Sequence, residues 1–301
     1  MGSKVGALFL LVIALGVGLY VYNSGFVGKG LTSLEALAPH PSSSTAPSNP
    51  YVPPQGSGGA GGGAVIAPTP TSSINPYEIP AGFTVDQLSP YFHQVRFGGM
   101  YAGSYYSPGQ ITLYSYPAGG VTSIDVTGWQ IKANRGGEYI PQAVNVYDPL
   151  GLSAATDIRL AAGDYLYIYS TSAPVNLRLN KCIGYLPNKA QFNPQLPQTC
   201  PYVDRSGIQS FTGACQNYVM SLGSCQLPDL SDPRIPTNDY NCRQYLSNNF
   251  SYKACFDAHQ GDTDFLSREV RVWMGANPID PSHDAVQLLD RKGLLVDLYT
   301  Y

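Results

Sequence analysis

From residue 111 onward, apolar side chains recur at alternate positions in short runs that glycine- and proline-bearing stretches separate. Residues 111–116, 126–132, 139–147, 164–170, 175–179 and 269–273 alternate in this way or are rich in β-branched and aromatic side chains, which predicts six strands. In a strand over 126–132, Trp129 and Ile131 share one face and Gln130 and Lys132 the other, so Trp129 and Ile131 are core candidates. Gly163 ahead of Asp164 predicts a turn leading into a strand. Residues 284–289 and 294–299 flank a four-residue turn that ends at Gly293, a hairpin whose glycine suits a positive φ. Trp273 closes the strand before it as a further core candidate. Between residues 182 and 258 the pattern changes: 210–221 and 240–248 have helical apolar spacing with few β-branched residues, and prolines break the remainder into loops.

The N-terminal third follows neither period. Residues 5–22 carry no charge and, as a helix rising 1.5 Å per residue, span about 27 Å, close to a hydrocarbon core. The sequence therefore predicts a membrane-spanning signal anchor over 5–25 after a short cytoplasmic tail, 1–4. The only A-x-A tripeptide, Ala36-Leu37-Ala38, lies too far downstream for ordinary signal cleavage. Residues 36–77 contain nine prolines, a run of glycines and serines at 56–63 and no charge ahead of Glu78, a composition that predicts a disordered linker.

Glycine (32) and proline (25) make up nearly a fifth of the 301 residues, against 12% charged side chains, which disfavours a helical bundle and favours an all-β fold. With 17 bases against 20 acids and no basic run longer than Arg291-Lys292, nothing predicts binding to a nucleic acid backbone. All six cysteines, Cys182, Cys200, Cys215, Cys225, Cys242 and Cys255, fall within 74 residues. An even, clustered set beyond a membrane anchor predicts disulfides and a domain outside the cell. The alternative, zinc, wants C-x2-C pairs that the spacings of 18, 15, 10, 17 and 13 do not supply.

Three segments in order carry a resemblance: Gly128-Trp129-Gln130-Ile131-Lys132, the turn 160–164 into an aliphatic strand, and Val272-Trp273 through Gly275 and Asn277 to Asp284–Asp290. They resemble the lamin-tail domain, over about residues 105–181 and 268–301. The resemblance implies an immunoglobulin-like β-sandwich over 100–301 of the exported bacterial type, with the cysteine-rich, partly helical block 182–258 as an insertion between two strands.

Catalytic chemistry is sparse. No G-x-S-x-G, H-E-x-x-H or P-loop pattern occurs, so no catalytic, cofactor-binding or metal-ligating residue is assigned and no cofactor is expected. His283-Asp284 and the acids Asp257, Asp262, Asp264, Asp280 and Asp284 lack the register of a metal loop. Asn249-Phe250-Ser251 fits a glycosylation acceptor by pattern. The expected function is therefore a membrane-anchored surface module, N-terminus inside, acting in the cell envelope or binding an extracellular protein or glycan. Tyr101, Tyr105 and Tyr106 are the glycan candidates. The alternative is an anchored hydrolase assembled from Asp204, Asp229, Asp232, Asp239 and His259.

Overall fold

The computed structural model describes residues 74–186 and 189–301. The cytoplasmic tail 1–4, the membrane span 5–25 and the linker as far as residue 73 lie outside the described residues. Among the described residues no helix is long and apolar enough to cross a membrane.

The fold is a β-sandwich. One sheet has seven strands in the order β1 (Val95–Tyr101), β2 (Gln110–Ser115), β9 (Tyr165–Tyr169), β11 (Leu266–Trp273), β10 (Leu177–Asn180), β6 (Ala143–Val144) and β7 (Ala155–Thr156). The other has four: β13 (Leu295–Thr300), β12 (Ala285–Leu289), β4 (Gln130–Ala133) and β5 (Gly136–Tyr139). A small ribbon pairs β3 (Ser123–Asp125) with β8 (Arg159–Ala161). Pairing is antiparallel except for β9 with β11 and β6 with β10. The two-residue period decides what each strand buries. Leu166 and Ile168 of β9, Val270 and Val272 of β11, and Ile131, Val286 and Leu288 of the smaller sheet meet in one core with Trp129. Trp129 is 2% exposed and its ring lies 5.7 Å from that of Tyr91.

The strands differ from the sequence pattern at three places. The run 126–132 is interrupted by a turn at Thr127-Gly128, with φ of 75° at Gly128, so Trp129 precedes its strand while still facing the core. The run 139–147 divides at Pro141, which has no N–H to give a ladder: β5 ends in the smaller sheet and β6 begins in the larger. The fold also begins before residue 100. β1 was hidden by Gly98-Gly99, where the register shifts in a bulge and the alternation lapses. Ahead of it, Leu88 and Phe92 pack on Leu295, and the Ser89 hydroxyl donates to the buried Asp290 carboxylate at 2.8 Å. Gly163 and Gly293 occupy their expected turns, with φ of 79° and 78°.

The cysteine-bearing block connects β10 to β11, which are antiparallel neighbours. It contains α1 (Gly213–Ser221), α2 (Tyr240–Asn249) and α3 (Tyr252–His259). All six cysteines are paired, as Cys182–Cys255, Cys200–Cys225 and Cys215–Cys242, the mark of a chain that matures in an oxidising compartment such as the cell exterior. Two features make the block more than a loop held by disulfides. First, the block has a core of its own, in which Tyr218, Val219, Leu222, Leu246 and Phe250 surround the Cys215–Cys242 bridge. Second, its remaining apolar residues, among them Ile183, Leu186, Phe192 and the Cys182–Cys255 bridge, cover the outer face of the larger sheet at Tyr169, Leu177, Leu179 and Trp273. Trp273 is thus a core residue, though of this second layer rather than of the sandwich interior; its indole N–H donates to the Asn193 carbonyl at 2.9 Å.

Candidate functional site

The block covers only part of the outer sheet face. Next to the covered part, cross-strand pairing places Tyr114 beside Tyr165, and the buried Thr112 beside Tyr167, which packs against the covering cluster. The Tyr165 and Tyr167 rings lie 5.4 Å apart, edge to face. Burial pushes both phenols above their ordinary range, with the Glu269 carboxylate adding to the effect, so they act as neutral hydroxyls and not as bases. Tyr101 ends the last row of this face, opposite Gln110.

Beyond Tyr101, residues 102–109 link β1 to β2 and project from the end of the sandwich. Gly103 has φ of 89°, and a Cβ there would lie 2.6 Å from the Gly109 nitrogen, so only glycine permits this approach of the two loop ends. Asn277 Nδ2 donates to the Ala102 carbonyl at 2.6 Å. The Gly109 N–H donates to Ser170 Oγ at 2.8 Å, and the Ser170 N–H returns a bond to the Gly109 carbonyl at 3.0 Å. Within the loop, the Ser104 N–H donates to the Ser107 carbonyl at 2.8 Å. With both ends tied, Tyr105 and Tyr106 are held out to solvent, 95% and 91% exposed. Their rings lie 5.0 Å apart at 86°.

Behind these rings is an open cleft of about 410 Å³ with Arg135, Ser170, Thr171, Asn193 and Asn277 in its wall. Arg135 is exposed and forms no ion pair and no side-chain hydrogen bond among the described residues. No carboxylate lines the cleft. The two acids of the adjoining turn face backbone donors instead: Asp284 accepts from the N–H groups of Asn134, Asp280 and Ala285, and Asp280 accepts from Ser282. The cleft therefore offers two aromatic faces, neutral hydroxyls and amides, and one cation.

Of the glycan candidates, Tyr105 and Tyr106 share this cleft, while Tyr101 belongs to the neighbouring sheet face. The other partners were not legible in the sequence. Arg135, Asn193 and Asn277 lie far apart along the chain, and only the run of polar and glycine residues around Tyr105-Tyr106 signalled an exposed loop.

The acids considered for a hydrolase serve local structure. Asp204 and Asp229 accept bonds from Ser206 and Ser231, Asp232 pairs with Arg234, and Asp239 caps α2 through the Cys242 N–H. Hydrogen bonds hold Asp204, Asp229 and Asp232 below the usual carboxylate range, the opposite of what a general acid requires. His259 pairs with Asp262 at 3.0 Å. The loop acids raised for calcium are engaged as well: Asp257 pairs with Lys253, and Asp262 and Asp264 share Lys181. The His283 carbonyl accepts from Asn134 Nδ2 while Asp284 turns inward. Among the described residues no three His, Cys, Asp or Glu side chains are grouped to hold a metal. In the glycosylation pattern, Asn249 Nδ2 donates to the Tyr245 carbonyl and Ser251 caps α3, so both side chains are engaged at the helix junction.

Comparison of the chain with family models, with curated proteins and with solved structures finds no match.

Proposed function

We propose that this protein is a non-catalytic binding module of the cell surface. In this reading an immunoglobulin-like sandwich of the lamin-tail type is carried by the apolar segment 5–25 and the linker 36–77, with the N-terminus inside and the paired cysteines outside. It presents the cleft of the β1–β2 loop to a protein or glycan of the cell envelope. The observation that carries this reading is the pair Tyr105 and Tyr106, held almost fully exposed by a loop tied down at both ends. Two tyrosines on an anchored loop, unused by the core, have only two side-chain torsions each to order when a partner covers them. The pairing of the hydrolase candidates with local caps further favours binding over catalysis.

The test is sedimentation of the full-length chain with isolated envelope polymer. Binding should fall about tenfold or more in Y105S/Y106S, the range expected when exposed aromatic anchors are lost, with the melting temperature unchanged. Binding indifferent to both tyrosines would remove the cleft from the account, and release of soluble fragments from the polymer would favour the hydrolase.

A further inference from the structure

We infer that the cleft behind Tyr105 and Tyr106 is built for a carboxylate-bearing sugar, with Arg135 as the group that selects the charge. This rests on the binding reading above and names its ligand class. The cleft's volume of about 410 Å³ lies within the range of small-ligand sites. Three observations narrow the chemistry.

The first is the pair of rings at 86°, which offers a flat face and an adjacent wall to a saturated ring. A pyranose presents C–H groups above and below its ring and hydroxyls around its rim. Such a ring can rest its C–H face on one tyrosine while its rim meets the hydroxyl and amide groups of Ser170, Thr171, Asn193 and Asn277.

The second is the sign and isolation of the charge. Arg135 is the one charged side chain in the wall of the cleft, and the Asp280 and Asp284 carboxylates beside it are engaged with backbone N–H groups. A guanidinium that makes no ion pair and no side-chain hydrogen bond among the described residues keeps its donor fork open to a ligand. A neutral sugar would leave the fork in water.

The third is the number of cations. One guanidinium matches one carboxylate in a two-bond pair, whereas phosphate-rich ligands are usually met by several cations or a nest of backbone donors. The site commits to a carboxylate on a ring.

Titration calorimetry on the full-length chain tests this with two matched pairs: trigalacturonate against its methyl ester, and sialyllactose against lactose. At least one acid should bind about tenfold or more tighter than its neutral partner, the range of a charge-assisted pair over a neutral contact. R135Q should erase that gap and R135K should keep part of it, while Y105S/Y106S should weaken acid and ester alike. Equal binding of acid and neutral partner, a gap that survives R135Q, or no binding of either acid would overturn the carboxylate assignment. Those outcomes leave the cleft reading standing as long as envelope polymer still depends on the two tyrosines; independence from them would overturn both.

Discussion

His93 sits at φ of 61°, where a non-glycine residue is uncommon, with its ring 3.8 Å from that of Phe92 and its Nε2 3.7 Å from the Asp297 carboxylate. Burial holds the imidazole below its ordinary 6.5, and neighbouring Arg96 pushes the same way against the attraction of Asp297. The unfolded chain therefore takes up this proton more readily than the folded one. The stability linked to His93 is complete above pH 6.5 and is lost as pH falls through the lowered folded value. Asp297 has the opposite sign. Burial raises it above 3.8 although its Oδ2 accepts the Phe97 N–H at 2.7 Å, so its contribution is complete below 3.8 and is lost as pH rises through the raised value. Two variants separate the groups. H93N, with a side chain that tolerates positive φ, should flatten the fall in melting temperature between pH 7 and pH 5. D297N should melt at or above wild type at pH 7, with the difference closing toward pH 3. A D297N protein markedly less stable at neutral pH would show that the buried charge is needed rather than merely accommodated.

At the scale of elements, alternation made the sequence legible wherever a strand is covered on one face, as in β9 and β11, and the hairpin β12–β13 was marked by its turn residues. Elements were hidden where another effect broke the period: glycines in β1, Pro141 between β5 and β6, and strands of only two residues such as β7. α3 is legible in the helical spacing of Tyr252, Cys255, Phe256 and His259 behind the cap at Ser251. The bridges divide the block into two parts that ought to respond differently to their loss. In the chain-entropy model the 73-residue Cys182–Cys255 closure contributes about 4.4 kcal/mol, and the 25- and 27-residue closures about 3.5 kcal/mol each. C215S/C242S should lose hydrogen-exchange protection mainly in α1 and α2. C182S/C255S should lower the melting temperature further and also expose amides of β10 and β11, because that bridge lies in the layer on the sheet. Identical exchange patterns in the two variants would contradict this division.

For the molecule as a whole, the block 182–258 acts as a third layer. A sandwich needs cover only on its inner faces, yet the larger sheet also buries Leu177, Leu179, Tyr169 and Trp273 on its outer face. Burial of four such side chains is worth roughly 6–12 kcal/mol, comparable with the whole stability of a domain. An insertion whose ends lie close together on adjacent strands is often dispensable, but this one covers a buried sheet face. Replacing residues 182–255 by a short Gly/Ser loop should give a protein that aggregates or melts without a cooperative transition, and a soluble, cooperative product would show that the sheet tolerates the exposed face. The same layering sets recognition beside stability: cysteines and large apolar residues fix the covered part of the sheet, Asn193 of the block reaches the wall of the cleft, and the β1–β2 loop is left free to present tyrosines. The measurement that bears most directly on that claim is amide chemical-shift mapping of the full-length chain as solubilised envelope glycan is added. Shifts should concentrate at residues 102–109 and at Arg135, Ser170, Asn193 and Asn277, with α1 and α2 unmoved; shifts confined to the helices of the disulfide-bonded block would place recognition there and contradict the account.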